Sequence, residues 1–214
     1  MSRLPQELPA LPLTRLDGRE PFREGSAPAG FDLLEFWRWS GSDVIGNTLR
    51  GAMAEFLVAR ALGIATDVRD EWNAWDLETA DGLRIEVKCS GYVQAWAQKS
   101  LSAPSFGVAR RAGWTRALGE FSKRQARWSD VFVFALHAHR DKPAADPLDL
   151  AQWRFLVIPT STIDERCGKQ KKIAPSSLSK LGGEWVAYAQ LRAAFERTAS
   201  NMPAPVRASD DPVR

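Results

Sequence analysis

Cysteine and histidine are scarce in this 214-residue chain, which has two of each. Cys89 and Cys167 are too few for a disulfide framework, and neither belongs to a CxxC or Cys/His cluster of zinc-site spacing. With His137 and His139 as the only histidines, a structural zinc site is not expected. Long apolar runs are also missing. No stretch approaches the ~18 residues needed to cross a bilayer, and the opening residues carry prolines and charges where a signal peptide needs an unbroken apolar core. The chain is therefore expected to be soluble and cytoplasmic, with no membrane partner. Internal repeats are absent, and the net charge of +3 is too small to identify an acidic partner by itself. What the chain does have is apolar residues at 44% and nine tryptophans, enough for a sizeable core, an aromatic stacking surface, or both.

Prolines and small residues break up residues 1–30, and three more prolines fall in 200–214, so both stretches read as irregular tails around one domain at 31–199. Within that domain, apolar residues from Val44 to Leu62 recur at three- and four-residue spacing, predicting a helix that Gly63 ends. Trp75–Thr79 and Leu83–Cys89 are short β-prone runs around Asp81-Gly82, a hairpin signal. A helix is expected over Trp114–Trp128, strands over Val131–His139 and Arg154–Pro159, and a final helix over Glu184–Ala199. The expected class is α/β: a mixed central sheet of at least four strands flanked by helices.

The hairpin carries the chemistry. Side chains alternate along a strand, so Glu86, Lys88 and Ser90 share one face while Ile85, Val87 and Cys89 face the apolar interior. Asp76 approaches Glu86 and Lys88 from the neighbouring strand. Two carboxylates with a nearby backbone carbonyl suit a hard divalent ion, Mg²⁺ or in substitution Mn²⁺. Such a site can cleave a phosphodiester, because the metal lowers the pKa of its water and neutralises developing charge while an adjacent lysine orients the water. The expected assignment is Asp76 and Glu86 as ligands, the Val87 carbonyl as a third, and Lys88 at the water. Glu78 shares a face with Asp76 and is the alternative ligand; spacing favours Asp76. The bland alternative for Glu86 and Lys88 is an exposed ion pair worth ~0.2–1 kcal/mol, but their apolar neighbours indicate a buried strand, where idle charges are costly.

Asp76, nine intervening residues and Glu86-Val87-Lys88, with the acidic-x-Lys on a strand after a hairpin turn, resemble the PD-(D/E)xK, or restriction-endonuclease-like, nucleases. The resemblance spans about Leu49 to Gln94. It implies a restriction-endonuclease-like core and Mg²⁺-dependent hydrolysis. It also implies an acidic residue on the preceding helix, matched by Glu55 in Arg50-Gly51-Ala52-Met53-Ala54-Glu55-Phe56, as a further residue at the metal. Gln94 matches the glutamine that resolvase-like and repair members carry past the acidic-x-Lys. The implied catalytic set is thus Asp76, Glu86, Lys88, Glu55 and Gln94. Trp75 stands where the motif usually has proline, a position without a chemical role. Glu55 has an alternative as a helix ion-pair partner of Arg50 or Arg60, and Gln94 as a polar loop residue. His137 and His139 lack a third metal ligand and read as structural, and Cys89 reads as a small core residue.

Charge is segregated along the chain. From Thr66 to Lys88 seven acids stand against three bases, a net −4; from Cys89 to Trp128 seven bases stand against Glu120 alone, a net +6. Arg110, Arg111, Arg116, Lys123, Arg124 and Arg127, interleaved with Trp96, Trp114, Phe121 and Trp128, are the expected nucleic-acid contacts, cations for phosphates and rings for bases. Lys169, Lys171 and Lys172 form a second basic cluster on a loop. The leading expectation is a metal-dependent nuclease acting on DNA as an endonuclease. A homodimer is plausible, because cutting both strands needs two sites. The alternative is a catalytically silent nuclease-like domain that binds nucleic acid or a protein partner through the basic aromatic surface.

Overall fold

The computed structural model describes residues 8–64, 68–115 and 119–203. Its first regular elements correct the expectation of an irregular arm over 1–30: β1 (Pro21–Glu24) and β2 (Ala27–Asp32) form an antiparallel ribbon. The prolines are tolerated because a two-stranded ribbon consists only of edges. Gly25 takes the left-handed turn at φ 62°, and Phe22 and Phe31 meet across the strands with ring centroids 4.8 Å apart. The ribbon runs into α1 (Leu33–Gly41), whose capping box pairs Asp32 with Glu35. The boundary expected at residue 31 therefore falls inside a continuous element. At the other end, the expected 200–214 tail lies outside the described residues from 204 onward.

Helix α2 (Asn47–Leu62) follows the apolar spacing and ends at Gly63 in the left-handed conformation, φ 69°. The Asp81-Gly82 turn then joins β3 (Leu77–Glu78) to β4 (Arg84–Gly91). The Thr79 hydroxyl serves this turn twice, donating to Asp81 at 2.6 Å and accepting from the Leu83 N–H at 2.9 Å. After the two-residue β5 (Phe106–Gly107) comes a second correction. The expected helix over Trp114–Trp128 is instead an antiparallel ribbon of β6 (Arg111–Trp114) and β7 (Phe121–Ala126). Gly113 and Gly119 disfavour a helix there, and the cross-strand pair Trp114–Phe121 favours the ribbon.

Strands β8 (Val131–His137) and β9 (Trp153–Pro159) lie where the sequence predicts them. They are followed by α3 (Thr160–Cys167), β10 (Lys172–Ile173), α4 (Pro175–Leu178) and α5 (Leu191–Ser200). The last helix starts seven residues later than expected because Val186 bridges Phe155 at the edge of β9, with reciprocal bonds of 2.9 and 2.8 Å.

The central sheet has the order β3-β4-β8-β9, with β4 and β8 parallel and the outer pairs antiparallel. The molecule is thus the mixed α/β fold with a four-stranded sheet. One face packs Ile85, Val87, Val131 and Val133 against α2 and α5; the other packs Phe132, Phe134, Leu156 and Ile158 against α3 and the segment around Phe106. The face carrying Glu86 and Lys88 is therefore also a core face, not an open β surface. Asp130 ties the strand starts together. Its carboxylate accepts from the Arg84 N–H and its own N–H donates to the Arg84 carbonyl, while its carbonyl accepts from Thr160, all at 2.8 Å. Among the described residues, no helix is long and apolar enough to cross a membrane.

Candidate active site

Strand β3 pairs with β4 only as far as Ile85, and among the described residues the rest of that β4 edge has no strand neighbour in the sheet. Asp76 fills the gap: its N–H donates to the Ile85 carbonyl at 3.0 Å, and its carboxylate Oδ2 accepts from the Val87 N–H at 2.7 Å. The two-residue length of β3 follows directly, since a side chain takes the donor that a longer strand would have used. The Val87 carbonyl leaves β4 from the same edge as its N–H, and so points to the Asp76 side.

Glu86 is buried within β4, and Lys88, two residues on and on the same face, is partly open, with side-chain exposures of 5% and 26%. The Lys88 ammonium pairs with Glu86 Oε1. Arg111 from β6 donates to both Glu86 oxygens, at 2.6 and 2.8 Å. These residues line a cavity of about 190 Å³ with Ala109, Trp128 and Phe132. Burial, and then the Glu86 charge, push the Asp76 carboxyl up to about 7, against the lowering pull of Lys88. Asp76 thus feels both Glu86 and Lys88 through space while it lines the neighbouring cavity.

Glu55 lies on the other side of Asp76, in a neighbouring cavity of about 410 Å³ that both residues line with Arg69 and Glu78. The Arg69 guanidinium bonds both Glu55 oxygens, at 2.5 and 2.9 Å, and is held above its ordinary pKa chiefly by that contact. Glu55 still raises the Asp76 carboxyl through space. Of the two candidate ligands, Asp76, just ahead of β3, is the one that feels the Glu86 charge; Glu78 is exposed and lies 3.9 Å from Arg84. Gln94 is not brought to the cluster. It is buried in a separate network, accepting from Arg50 at 3.2 Å and donating to the Gly91 carbonyl at 3.0 Å. Cys89 is partly buried, with its thiol pushed up to about 12, and His137 is buried against Trp153 and lowered by that burial.

The expected cation set divides in the same way. Arg127 is buried and bonds Asp164 at 2.6 Å and the Val108 carbonyl at 2.7 Å, which makes it a structural clamp rather than a surface contact. Arg110 pairs with the same Asp164 at 2.7 Å. Arg111 belongs to the acidic cluster, and Arg116 lies outside the described residues. Lys123 and Arg124 are exposed on β7, with Arg124 over the Trp128 ring at 5.0 Å. Sequence reasoning missed Trp72, an exposed residue whose ring meets Trp114 at 5.3 Å and so extends the aromatic line toward Phe121. It stands in the acidic segment, outside the basic stretch that drew attention to the other rings.

The donor set suits a divalent ion in one respect above all. The charge of buried Glu86 raises the part-buried Asp76 carboxyl, and a cation between the two would relieve that repulsion. No group of three or more Asp, Glu, His or Cys able to hold a metal occurs among the described residues, so a third protein ligand would have to be backbone. A family model described as bacteriophage T4 endonuclease IV matches residues 34–170, which include the whole cluster. No match is found among curated proteins.

Proposed function

The chain belongs to the bacteriophage T4 endonuclease IV family, and from that premise we propose that it is a metal-dependent endonuclease cleaving DNA through a PD-(D/E)xK-type site. The observation that supports this reading is the juxtaposition of part-buried Asp76 with buried Glu86, whose charge it feels through space, and of Lys88, two positions along the same strand and paired with Glu86.

In this reading the Asp76 and Glu86 carboxylates and the Val87 carbonyl hold Mg²⁺ or Mn²⁺. When bound, the ion supplies an ionisable water and neutralises charge developing on the phosphate. Lys88, paired with Glu86 and more open than it, would orient the attacking water and stabilise the phosphate oxygens. Glu55, held by Arg69, strengthens the negative field at Asp76 and is a positioning residue. Gln94 braces the Arg50 network that supports the end of β4 and takes no part in the chemistry. Lys123, Arg124 and the rings of Trp72, Trp114 and Phe121 receive the DNA.

The test is cleavage of plasmid and linear DNA with Mg²⁺ or Mn²⁺ by wild type, Lys88→Ala and Asp76→Asn. Each variant is expected to lose about 10²–10⁴-fold in rate while its thermal melt stays cooperative. Undiminished cleavage in either variant removes the assignment. One observation favours the second reading, a silent DNA-binding domain: Glu86 is already neutralised by Lys88 and Arg111. Salt-sensitive DNA binding without Mg²⁺ uptake in calorimetry would select it.

A further inference from the structure

Arg111 meets Glu86 with one nitrogen, not two. Its Nη2 lies 2.6 Å from Oε1 and 2.8 Å from Oε2, so a single donor straddles the carboxylate. The two-nitrogen fork that makes arginine–carboxylate pairs strong is not used. The remaining contact of that nitrogen is long, 3.5 Å to the Ala74 carbonyl. The guanidinium side chain is 49% exposed, whereas the carboxylate side chain it holds is 5% exposed. The backbone beneath it is pinned, because the Arg111 carbonyl accepts from Trp128 Nε1 at 2.8 Å and Arg111 pairs with Ala126 in the ribbon. An anchored backbone under a half-exposed side chain lets the guanidinium leave Glu86 without moving a strand.

Charge counting points the same way. Fully ionised, Asp76 and Glu86 carry two negative charges, and Lys88 and Arg111 carry two positive ones. A divalent ion added to all four would leave a double positive charge in a largely buried site, which is costly unless one cation leaves. Lys88 is the less exposed of the two cations and Arg111 the more exposed, so Arg111 has the shorter way into solvent.

We propose that Arg111 is a stand-in cation. It neutralises Glu86 in the metal-free protein, yields the carboxylate when a divalent ion enters, and then becomes a phosphate contact on the ribbon that also carries Lys123 and Arg124. This rests on the metal-dependent reading above.

The experiment follows guanidinium N–H signals of ¹⁵N-labelled protein during a Mg²⁺ titration, with the Arg111 signals identified by their loss in Arg111→Gln. Calorimetry gives the Mg²⁺ Kd of both proteins. Restrained Arg111 signals in the metal-free protein are expected to disappear as the site fills, and Arg111→Gln is expected to bind Mg²⁺ about tenfold more tightly. If Arg111→Gln does not fold, Arg111→Lys supplies the identification and the wild-type titration decides alone. A site that fills while the Arg111 signals stay unmoved, or an unchanged Kd in Arg111→Gln, overturns the proposal and leaves the nuclease reading standing. Absence of Mg²⁺ uptake by both proteins overturns the two together.

Discussion

Strands β4 and β8 lie side by side in parallel register, yet they use their two faces differently. Every residue of β8 is buried, with Val131, Val133 and Ala135 in one core and Phe132, Phe134 and Leu136 in the other. β4 gives Ile85 and Val87 to the first core, but on the second face it sets Glu86 opposite Phe132 and Lys88 opposite Phe134. One strand spends both faces on stability, and its neighbour spends one face on charge. The contrast shows how a buried acid can be tolerated: the cost at β4 is offset by the strand beside it, apolar from Val131 to Leu136.

Three measurements break or sharpen that contrast, in decreasing order of effect. Phe134→Ala empties a fully buried position and is expected to cost about 3–5 kcal/mol in urea unfolding, whereas Lys88→Ala at the paired position is expected to cost less, because Arg111 still neutralises Glu86. Equal losses would mean that the two strands are not used differently. The second measurement is pH dependence. The Asp76 carboxyl stands at about 7 in the folded protein, against 3.8 ordinarily. The folded state therefore keeps a proton that the unfolded chain releases, so the stability linked to Asp76 is full below about pH 4, declines as pH rises toward 7, and is flat above. Asp76→Asn should remove that slope in thermal melts taken at several pH values; a slope that survives the substitution belongs to another group. Mg²⁺ affinity should run the opposite way, weakening by up to about tenfold per pH unit below 7 as Asp76 takes up its proton. The smallest effect is expected at the rim. Lys123→Ala should lower the slope of log K against log salt for DNA binding by about 1, and an unchanged slope would remove Lys123 from the interface.

The elements that position the cluster were legible because each rests on a local pattern. Helix α2 repeats apolar residues at helical spacing and stops at a glycine, the β3–β4 turn is Asp-Gly, and β8 and β9 are unbroken apolar runs. What escaped depends on tertiary partners. Composition alone cannot show that Trp114 pairs with Phe121 instead of lying on a helix, or that Val186 leaves the expected last helix to bridge Phe155. At the site, alternation along β4 was enough to put Glu86 and Lys88 on one face, but it says nothing of Arg111, which arrives from 25 residues away. Gln94 shows the converse. Its position after the motif invited a catalytic role, and its bonds to Arg50 and Gly91 place it in a scaffold instead. Arg127 likewise counted as a surface cation by charge, and is a buried clamp by contact.

The parallel pairing of β4 with β8 also bears on how the molecule comes into being. Glu86 and Phe132 are neighbours in the sheet but are separated along the chain by the whole β5–β7 excursion, so this contact forms only after a long loop has closed. Such non-local pairing slows folding. A growing chain that has made α2 and the hairpin, with Asp76, Glu86 and Lys88 all present, still lacks the strand that walls in the cluster. The pocket around Glu86 is therefore completed only after β8 has been made and docked, so this corner of the molecule is among the last to close.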